Sequence, residues 1–360
     1  MKLQHKFGLL LSSLSLFSFI SSAEAEPKVV TSIKPIHSLV SYVMDGVGRP
    51  DLLVDGSSSP HTFQLKPSHA TMLQEADIVF WIGEDLESFL ETPLDSIAAS
   101  AKRVTLMDSD QIELLKFREK NVFDDHHDDH DDHDEHEDHA DGHDDHDEHD
   151  EHDAHDEHDE HDEHDEHDEH EGHDDHEEHA DGHDDHDDHG HHHGEHDIHF
   201  WLDPEIAKTI VSIASEELSE IDPANKSIYS SNAANAINDL DQLIDNTRSK
   251  INSDATYIVF HDAYQYFEQR FGIEVIGALT VNPEVLPGAK QLAEIREVIE
   301  HESVNCLFSE PQFNPSIAET IASDTGIKSA VLDPLGAELE PGKDLYFDLI
   351  GDMASSFENC

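Results

Sequence analysis

Histidine and acidic side chains dominate one stretch of the chain, from position 124 to position 199. Of its 76 positions, 27 are His and 40 are Asp or Glu, mostly in a repeat with a period near three. Three residues advance an α-helix by about 300°, so the histidines cannot share one helical face. Imidazole is a ligand for Zn, Cu or Ni. With little to bury and many repelling carboxylates, residues His126–His196 are predicted to be a disordered metal-binding tract rather than a plain acidic spacer.

Three isolated histidines occupy similar positions outside this repeat. His61 follows the turn at 56–60, His199 precedes a capped helix, and His261 ends an apolar strand. Ligands of open α/β sheets collect beyond the carboxyl ends of strands, so we expect these imidazoles to meet in one cleft. Three histidines with one open position favour Zn²⁺ over the harder Mn²⁺. Asp333, at another strand end, is a candidate for the fourth position.

The elements that must position these residues alternate between strand and helix. Apolar runs at 28–33 and 77–82 predict buried strands, and an amphipathic helix is expected over 86–99. The second half repeats this alternation from Tyr257 onward. Such a pattern predicts an α/β fold with parallel sheets and helices on their faces. A helical apolar repeat predicts one long helix, residues 223–251, between the two halves.

Net charge narrows the classes of partner. The chain has 360 residues, and the stretch from 124 to 199 leaves 360 − 76 = 284, enough for two domains. The net charge is −64, and outside that stretch 84 − 40 = 44 acidic residues face 20 basic ones. Nucleic acid and anionic membrane surfaces are therefore poor partners, and cations are natural ones.

The N-terminus has the pattern of an export signal. Two lysines precede a short apolar run that ends at Ala23–Ala25, which predicts a secretory signal peptide over 1–25 and a mature protein in the periplasm. Export places the two cysteines in an oxidising compartment. There Cys306 and Cys360 are most simply a disulfide, with two free thiols or a pair of soft metal ligands as the alternatives.

Together these features divide the chain into six parts. They are the signal peptide 1–25, the N-terminal lobe 26–123, the His-rich tract 124–196, the end of the N-terminal lobe 197–222, the linker helix 223–251 and the C-terminal lobe 252–360. The tract is thus an insert within the first lobe. The candidate ligands are divided between the two lobes.

Five segments resemble one family of transport proteins. They are DGSSSPHTFQLKPS at 55–68, DIHFWLDPEIA at 197–207, IVFHDAYQYFEQRFG at 258–272, CLFSEPQFNP at 306–315 and VLDPLG at 331–336. With the His-rich insert, they closely resemble the zinc-binding ZnuA type of the cluster A-I substrate-binding proteins, which serve bacterial ABC importers. The resemblance implies two (β/α)4 lobes joined by a long rigid helix. It also implies capture of periplasmic Zn²⁺ between the lobes and docking to a membrane permease.

The same resemblance assigns roles to individual residues. Carried over by position, it makes the three isolated histidines the zinc ligands. Glu310 matches a family position and would stand behind the ligands at most. The manganese branch of the family has a carboxylate where His261 stands, so the zinc branch fits better. A manganese-binding relative is the alternative.

One departure from the family leaves the fourth ligand open. Some relatives carry a Glu directly before the first ligand histidine, but here that position is Pro60. The fourth ligand is therefore either Asp333 or water. His37 and His69 match no ligand motif, and we expect a helix-start histidine and an exposed helical histidine, respectively.

Two other classes of function would use some of the same residues. A zinc-dependent hydrolase needs three histidines and an open water position, but also a general base, and no HExxH or comparable motif occurs. We therefore expect no enzymatic activity. A periplasmic metal buffer or adhesin would need the tract alone. The importer hypothesis predicts Zn²⁺ as the transported ion, an inner-membrane ABC permease as the partner and a monomeric protein.

Overall fold

The computed structural model describes residues 26–118, 195–251, 255–280, 283 and 285–360. The predicted signal peptide at 1–25 and nearly all of the tract at 124–196 lie outside the described residues. None of the helices in the described part has the length and apolar character that crossing a membrane requires. The described chain contains two parallel four-stranded sheets with helices packed around them.

The first lobe is built on a parallel sheet with the strand order β2-β1-β3-β4. Strands β1 and β3 are buried at every position, as their continuous apolar runs predict. The strands are β1 (Val29–Ile33), β2 (Asp51–Val54), β3 (Ile78–Trp81) and β4 (Lys102–Thr105). The helices are α1 (Lys34–Val43), α2 (Pro67–Glu75), α3 (Glu91–Ser96) and α4 (Pro204–Ile221).

Helix α3 is shorter than the helix expected over 86–99. A separate 3-10 turn covers Ser88–Leu90 before α3 begins at Glu91. Proline is tolerated in the first turn of a helix but not in its interior, so Pro93 sets where α3 can begin. The N–H groups of Ile97 and Ala98 both donate to the Pro93 carbonyl, which closes the helix after little more than one turn.

The second lobe repeats this topology with the strand order β6-β5-β7-β8, again all parallel. The predicted fold of two (β/α)4 lobes is thus confirmed. The strands are β5 (Thr256–His261), β6 (Glu274–Thr280), β7 (Cys306–Ser309) and β8 (Lys328–Val331). The helices are α6 (Gln265–Phe271), α7 (Ala289–His301), α8 (Ser316–Thr325) and α9 (Leu345–Asn359).

Two helices run along both lobes. Helix α5 (Lys226–Lys250) has 25 residues, which makes it about 38 Å long. It is slightly shorter than the predicted 223–251, because Pro223–Asn225 forms a separate 3-10 turn. Helix α9 packs on α1 and α5. Its first turn is hydrogen-bonded to α1 through Tyr346, and Phe357 near its end packs on aromatic side chains of β5 and α6. The final helix therefore joins the lobes alongside the linker helix.

The end of α9 is fixed by a covalent bond. Cys360 forms a disulfide with Cys306, the first residue of β7, with a Cα–Cα distance of 5.6 Å. One turn earlier, the ring of Phe357 packs 5.0 Å from that of Phe308 on the same strand. The predicted disulfide is confirmed, and it attaches residue 360 to the sheet of the second lobe.

Candidate metal centre

His61 lies on the loop that connects β2 to α2. The loop turns at Gly56, whose φ of +69° is in the left-handed region that glycine adopts without strain. The N–H of His61 donates to Ser59 Oγ at 3.3 Å, and Pro60 beside it is buried. Of the three candidate ligands, His61 is the one that is only half-buried.

His199 lies five residues before the start of helix α4 at Pro204. A 3-10 turn, Phe200–Leu202, connects it to Asp203, whose carboxylate accepts from the N–H of Glu205 at 2.8 Å and caps the helix. This aromatic turn is fully buried. The capped helix and the buried turn together hold His199 at the edge of the first lobe, where it is 4% exposed.

His261 is the last residue of β5 in the second lobe, and it is 3% exposed. Its position follows from the parallel pairing of β5 with β7, in which Tyr257 lies opposite Cys306. Extending this register by four residues brings His261, at the end of β5, beside Glu310, the residue after β7. The backbone N–H of His261 accordingly donates to Glu310 Oε1 at 3.3 Å.

The structure brings the three histidines of the two lobes together. One candidate ligand atom from each lies within 4.8 Å of the other two, the one such group in the described part of the chain. The Nε2 atoms of His199 and His261 are 3.3 Å apart. In a tetrahedral zinc site with Zn–N bonds near 2.0–2.1 Å, neighbouring nitrogens lie about 3.3 Å apart. The spacing of the two buried histidines therefore fits one zinc ion.

A carboxylate behind each buried histidine sets the orientation of its ring. His199 Nδ1 is 2.7 Å from Asp197 Oδ1, and His261 Nδ1 is 3.1 Å from both oxygens of Glu310. A carboxylate accepts a proton donor, which favours the hydrogen on each Nδ1 and leaves each Nε2 as the atom able to bind a metal ion. Glu310 contacts His261 Nδ1, and its role in supporting a zinc ligand stays a prediction. Asp197 was not among the predicted residues, although its position two residues before His199 was an available signal.

Contacts between these carboxylates and the histidines also shift the pKa values of both kinds of residue. Burial by itself would lower the pKa of His261, but the carboxylates of Glu310, Asp262 and Asp197 together outweigh burial and raise it. Burial would raise the pKa of Asp197, but the hydrogen bonds from His199 outweigh burial and lower it. A raised histidine pKa means that protons compete with a metal ion at higher pH than usual. Metal binding should therefore weaken as pH falls through that pKa.

The space between the histidines is small and mostly apolar. It measures about 10 Å³, which is the lower limit for one water molecule. A space of this size suits a single ion. Besides the three histidines and Glu310, the lining includes Pro60, Trp201, Phe313, Pro334 and Leu335.

Asp333 follows β8, but its carboxylate is bonded to its own loop. Oδ1 accepts from the N–H groups of Leu335 and Gly336 at 3.0 Å each, and Oδ2 accepts from that of Ala337 at 2.5 Å. Gln312 Nε2 donates to Oδ1 at 2.8 Å. Asp333 does not line the space between the histidines and is outside the cluster of ligand atoms. Its role as fourth ligand stays a prediction.

The remaining two histidines in the first lobe are outside the cluster. The expectation that His69 is exposed was wrong, because its Nδ1 accepts from the N–H of Lys66 at 3.1 Å and caps α2. Its ring also stacks on Phe63, which leaves it 8% exposed. His37 is in the first turn of α1 and equally buried, with its Nε2 at 3.1 Å from the Pro50 carbonyl oxygen.

The chain segments on either side of the tract meet close to this centre. Lys116 and His196 form an antiparallel bridge, and the N–H of Asp197 donates to the Leu115 carbonyl at 2.8 Å. Tyr266 on α6 donates to the Asp197 carbonyl at 2.7 Å. Both flanks of the tract are therefore held beside the carboxylate that orients one of the histidines.

Comparison with known proteins identifies a family. The family model described as "ZnuA: Zinc-uptake complex component A periplasmic" matches residues 29–360. The high-affinity zinc uptake system protein ZnuA of Brucella abortus (strain 2308) is 43% identical over 357 residues, 98% of each chain. The protein of the same name from Haemophilus influenzae is 39% identical over 358 residues, again 98% of each chain.

Solved structures share the fold. A crystal structure of ZnuA superposes with a TM-score of 0.66 at 20% identity, covering 93% of this chain and 99% of that one. A zinc-bound deletion mutant of ZnuA superposes with the same TM-score and covers 98% of that chain. The Mn²⁺ complex of the binding protein FpvC from Pseudomonas aeruginosa gives 0.65 at 16% identity, covering 93% of this chain and 98% of that one. At these identities the likeness establishes the architecture.

Proposed function

Since the chain belongs to the ZnuA family of periplasmic zinc-uptake components, we propose that it captures Zn²⁺ between its two lobes and delivers it to the permease of an ABC importer. The observation that carries this function is the cluster of His61, His199 and His261, with two Nε2 atoms 3.3 Å apart. These three residues are the proposed ligands. One comes from a loop of the first lobe, one from the segment before α4 and one from the second lobe.

The charges behind the ligands suit a divalent cation. Neutral imidazoles bring no negative charge, so a buried zinc ion needs compensation from outside its first shell of ligands. Asp197 and Glu310 supply it, since each accepts from the Nδ1–H of one ligand. Such carboxylates also make the imidazoles more basic and fix their tautomer. Binding and release of the ion complete the function, with no bond made or broken in a substrate.

Export, partner and assembly follow from the same proposal. The segment at 1–25 directs the chain to the periplasm, where the protein acts as a monomer and docks to an inner-membrane ABC permease. A hydrolytic role has no support from the centre. The carboxylates nearest the histidines, Asp197 and Glu310, accept from the histidine rings, and we assign no general base.

Replacing Asp333 by alanine should weaken zinc binding less than the loss of a histidine does. In our proposal water occupies the fourth position. The Asp333 carboxylate already accepts four hydrogen bonds, three from N–H groups of its own loop and one from Gln312 Nε2. Water can fill a tetrahedral zinc site with three protein ligands. The measurement is a competition titration with a zinc chelator. A loss as large as that of the histidine variants would make Asp333 a ligand.

Deleting residues 124–194 should remove several weak zinc sites and keep one tight site. The tract sequence has many imidazoles but little apolar surface to preorganise them, so we expect an ion bound there to be held more weakly than in the cleft. This deletion retains the bridge between Lys116 and His196 and the Asp197–His199 contact. Calorimetric zinc titration of both proteins gives the stoichiometry and the affinities.

The same pair of proteins tests the proposed function. We expect the gene to be needed for growth under zinc starvation. The protein lacking residues 124–194 should support growth except when zinc is scarcest. The tract then acts as an auxiliary zinc reservoir beside the cleft. Loss of the tight site in the deleted protein would contradict that role. Normal growth without the gene under zinc starvation, in a strain with no second zinc importer, would contradict import.

A further inference from the structure

Lys34 is a buried cation that the zinc site itself does not explain. It begins α1 at the end of β1, and its side chain is 3% exposed. Its ammonium group donates to the carbonyls of Gly336, Ala337 and Leu339 at 3.0, 2.8 and 3.0 Å. The nearest carboxylate, Asp55 at 3.5 Å, is 64% exposed. A lysine has three N–H donors, so all of them are used on one backbone segment that follows the second lobe's sheet.

The N–H groups of the same segment donate to a carboxylate of the second lobe. Asp333, two residues after the end of β8, accepts from three successive N–H groups, those of residues 335–337. The segment 334–339 is therefore held by its carbonyls from the first lobe and by its N–H groups from the second. We call Lys34, Asp333 and the segment 334–339 the interlobe joint.

The joint forms one wall of the proposed zinc site. Pro334 and Leu335 line the space between the histidines. The Pro334 carbonyl accepts from Trp201 Nε1 at 2.9 Å, and the Trp201 ring lies 5.2 Å from the ring of His199. The wall follows the sheet of the second lobe in the chain, and through Trp201 it contacts the neighbourhood of His199 in the first lobe.

Resting on the proposed function, we propose that Lys34 is a positioning residue for zinc, which acts through the interlobe joint to keep this wall closed over the bound ion. Lys34 itself does not touch the ion or a ligand. Without its ammonium group, three carbonyls lose their donor and the segment is free to move away from the cleft. In this proposal the wall covers the way out of the site, so its loosening should speed zinc dissociation more than it changes association.

The test compares two lysine variants of the protein lacking residues 124–194. Lys34→Met keeps the apolar stem of the side chain and removes the three donors. The matched control is Lys102→Met, because Lys102 pairs with Glu217 and Glu220 inside the first lobe and does not contact the joint. Zinc dissociation is measured by stopped flow with excess chelator. Hydrogen exchange of the amides in 333–339 is measured on the same samples.

For Lys34→Met we expect zinc to dissociate about 10-fold faster, the size of effect found when a residue that supports a metal ligand is lost. Amides 335–337 should exchange faster, and the association rate should stay within about threefold of that of the parent. Lys102→Met should match the parent in all three quantities. A Lys34→Met protein with faster amide exchange and unchanged zinc dissociation would overturn the inference, as would unchanged amide exchange.

A second variant covers the case in which Lys34→Met does not fold. Trp201→Phe keeps an aromatic ring beside His199 and removes the one donor to the Pro334 carbonyl. Trp201→Phe should show faster zinc dissociation and faster exchange of amides 335–337, both smaller than in Lys34→Met. Faster amide exchange with parent-like zinc dissociation would again refute the role of the interlobe joint. A parent protein that binds no zinc would overturn the proposed function itself, whereas parent-like dissociation in both variants would overturn this inference alone.

Discussion

Replacing His61, His199 or His261 by alanine is expected to weaken the tight zinc site by more than about 100-fold. Loss of a residue that only supports a ligand costs 10–100-fold in affinity, so loss of a ligand should exceed that range. The protein without residues 124–194 is the right background, since the tract would otherwise mask the change. Affinity is obtained by competition with a chelator of known zinc affinity.

The control is His301→Ala. His301 ends α7, its side chain is 74% exposed, and it is outside the cluster. Its loss should leave zinc affinity unchanged. Thermal unfolding gives an independent reading, because zinc at 100 times its Kd stabilises the protein that binds it by about 2.7 kcal/mol. A ligand variant that is folded without zinc but gains no stability from it fits the proposal, and unchanged affinity in any of the three would remove that residue from the ligand set.

Loss of the disulfide should lower the free energy of unfolding by about 4 kcal/mol, the chain-entropy value for a closed loop of this length. Cys306 and Cys360 are separated by 54 residues, and the bond restricts the unfolded chain over that span. Urea unfolding with and without reductant measures the change. Replacing both cysteines by alanine should lower the urea midpoint as much as reductant lowers that of the parent protein. Reductant should then have no further effect on the variant.

Zinc binding should survive this change. Cys306 lies at the start of β7, whereas Glu310 follows the end of the same strand and supports His261 there. Packing of Phe357 on Phe308 also continues to hold the end of α9. We therefore expect the reduced protein to bind zinc near its original affinity while folded. Equal stability with and without reductant would show that the bond does not form in the isolated protein.

Local sequence patterns predicted most of the architecture. Continuous apolar runs identified the buried strands β1 and β3, and the pair Asp203-Pro204 marked the start of α4. These features depend on residues close together in sequence, so a single chain carries the information. The approximate meeting place of the three histidines followed from a general rule, because ligands gather at the carboxyl ends of parallel strands.

Which side chains meet across the cleft was decided by tertiary structure. His261 meets Glu310 because the register of β5 against β7 brings them beside each other. Asp333 also follows a strand, but the turn of its own chain directs its carboxylate to the N–H groups that follow. The sequence marked Asp333 as a strand-end residue, whereas Glu310 was named only through the family resemblance, and no local pattern showed which carboxylate would contact a histidine.

The sequence by itself determined the elements, the alternation that yields two lobes and the set of histidines able to hold zinc. Tertiary structure decided what supports them, including Asp197 behind His199 and the span of α9 across both lobes. The clearest case is Lys34, which donates to the carbonyl of Leu339, 305 residues away. Periodicity reports which face of an element is buried, but a pairing over such a separation depends on how two lobes pack, and no local pattern encodes it.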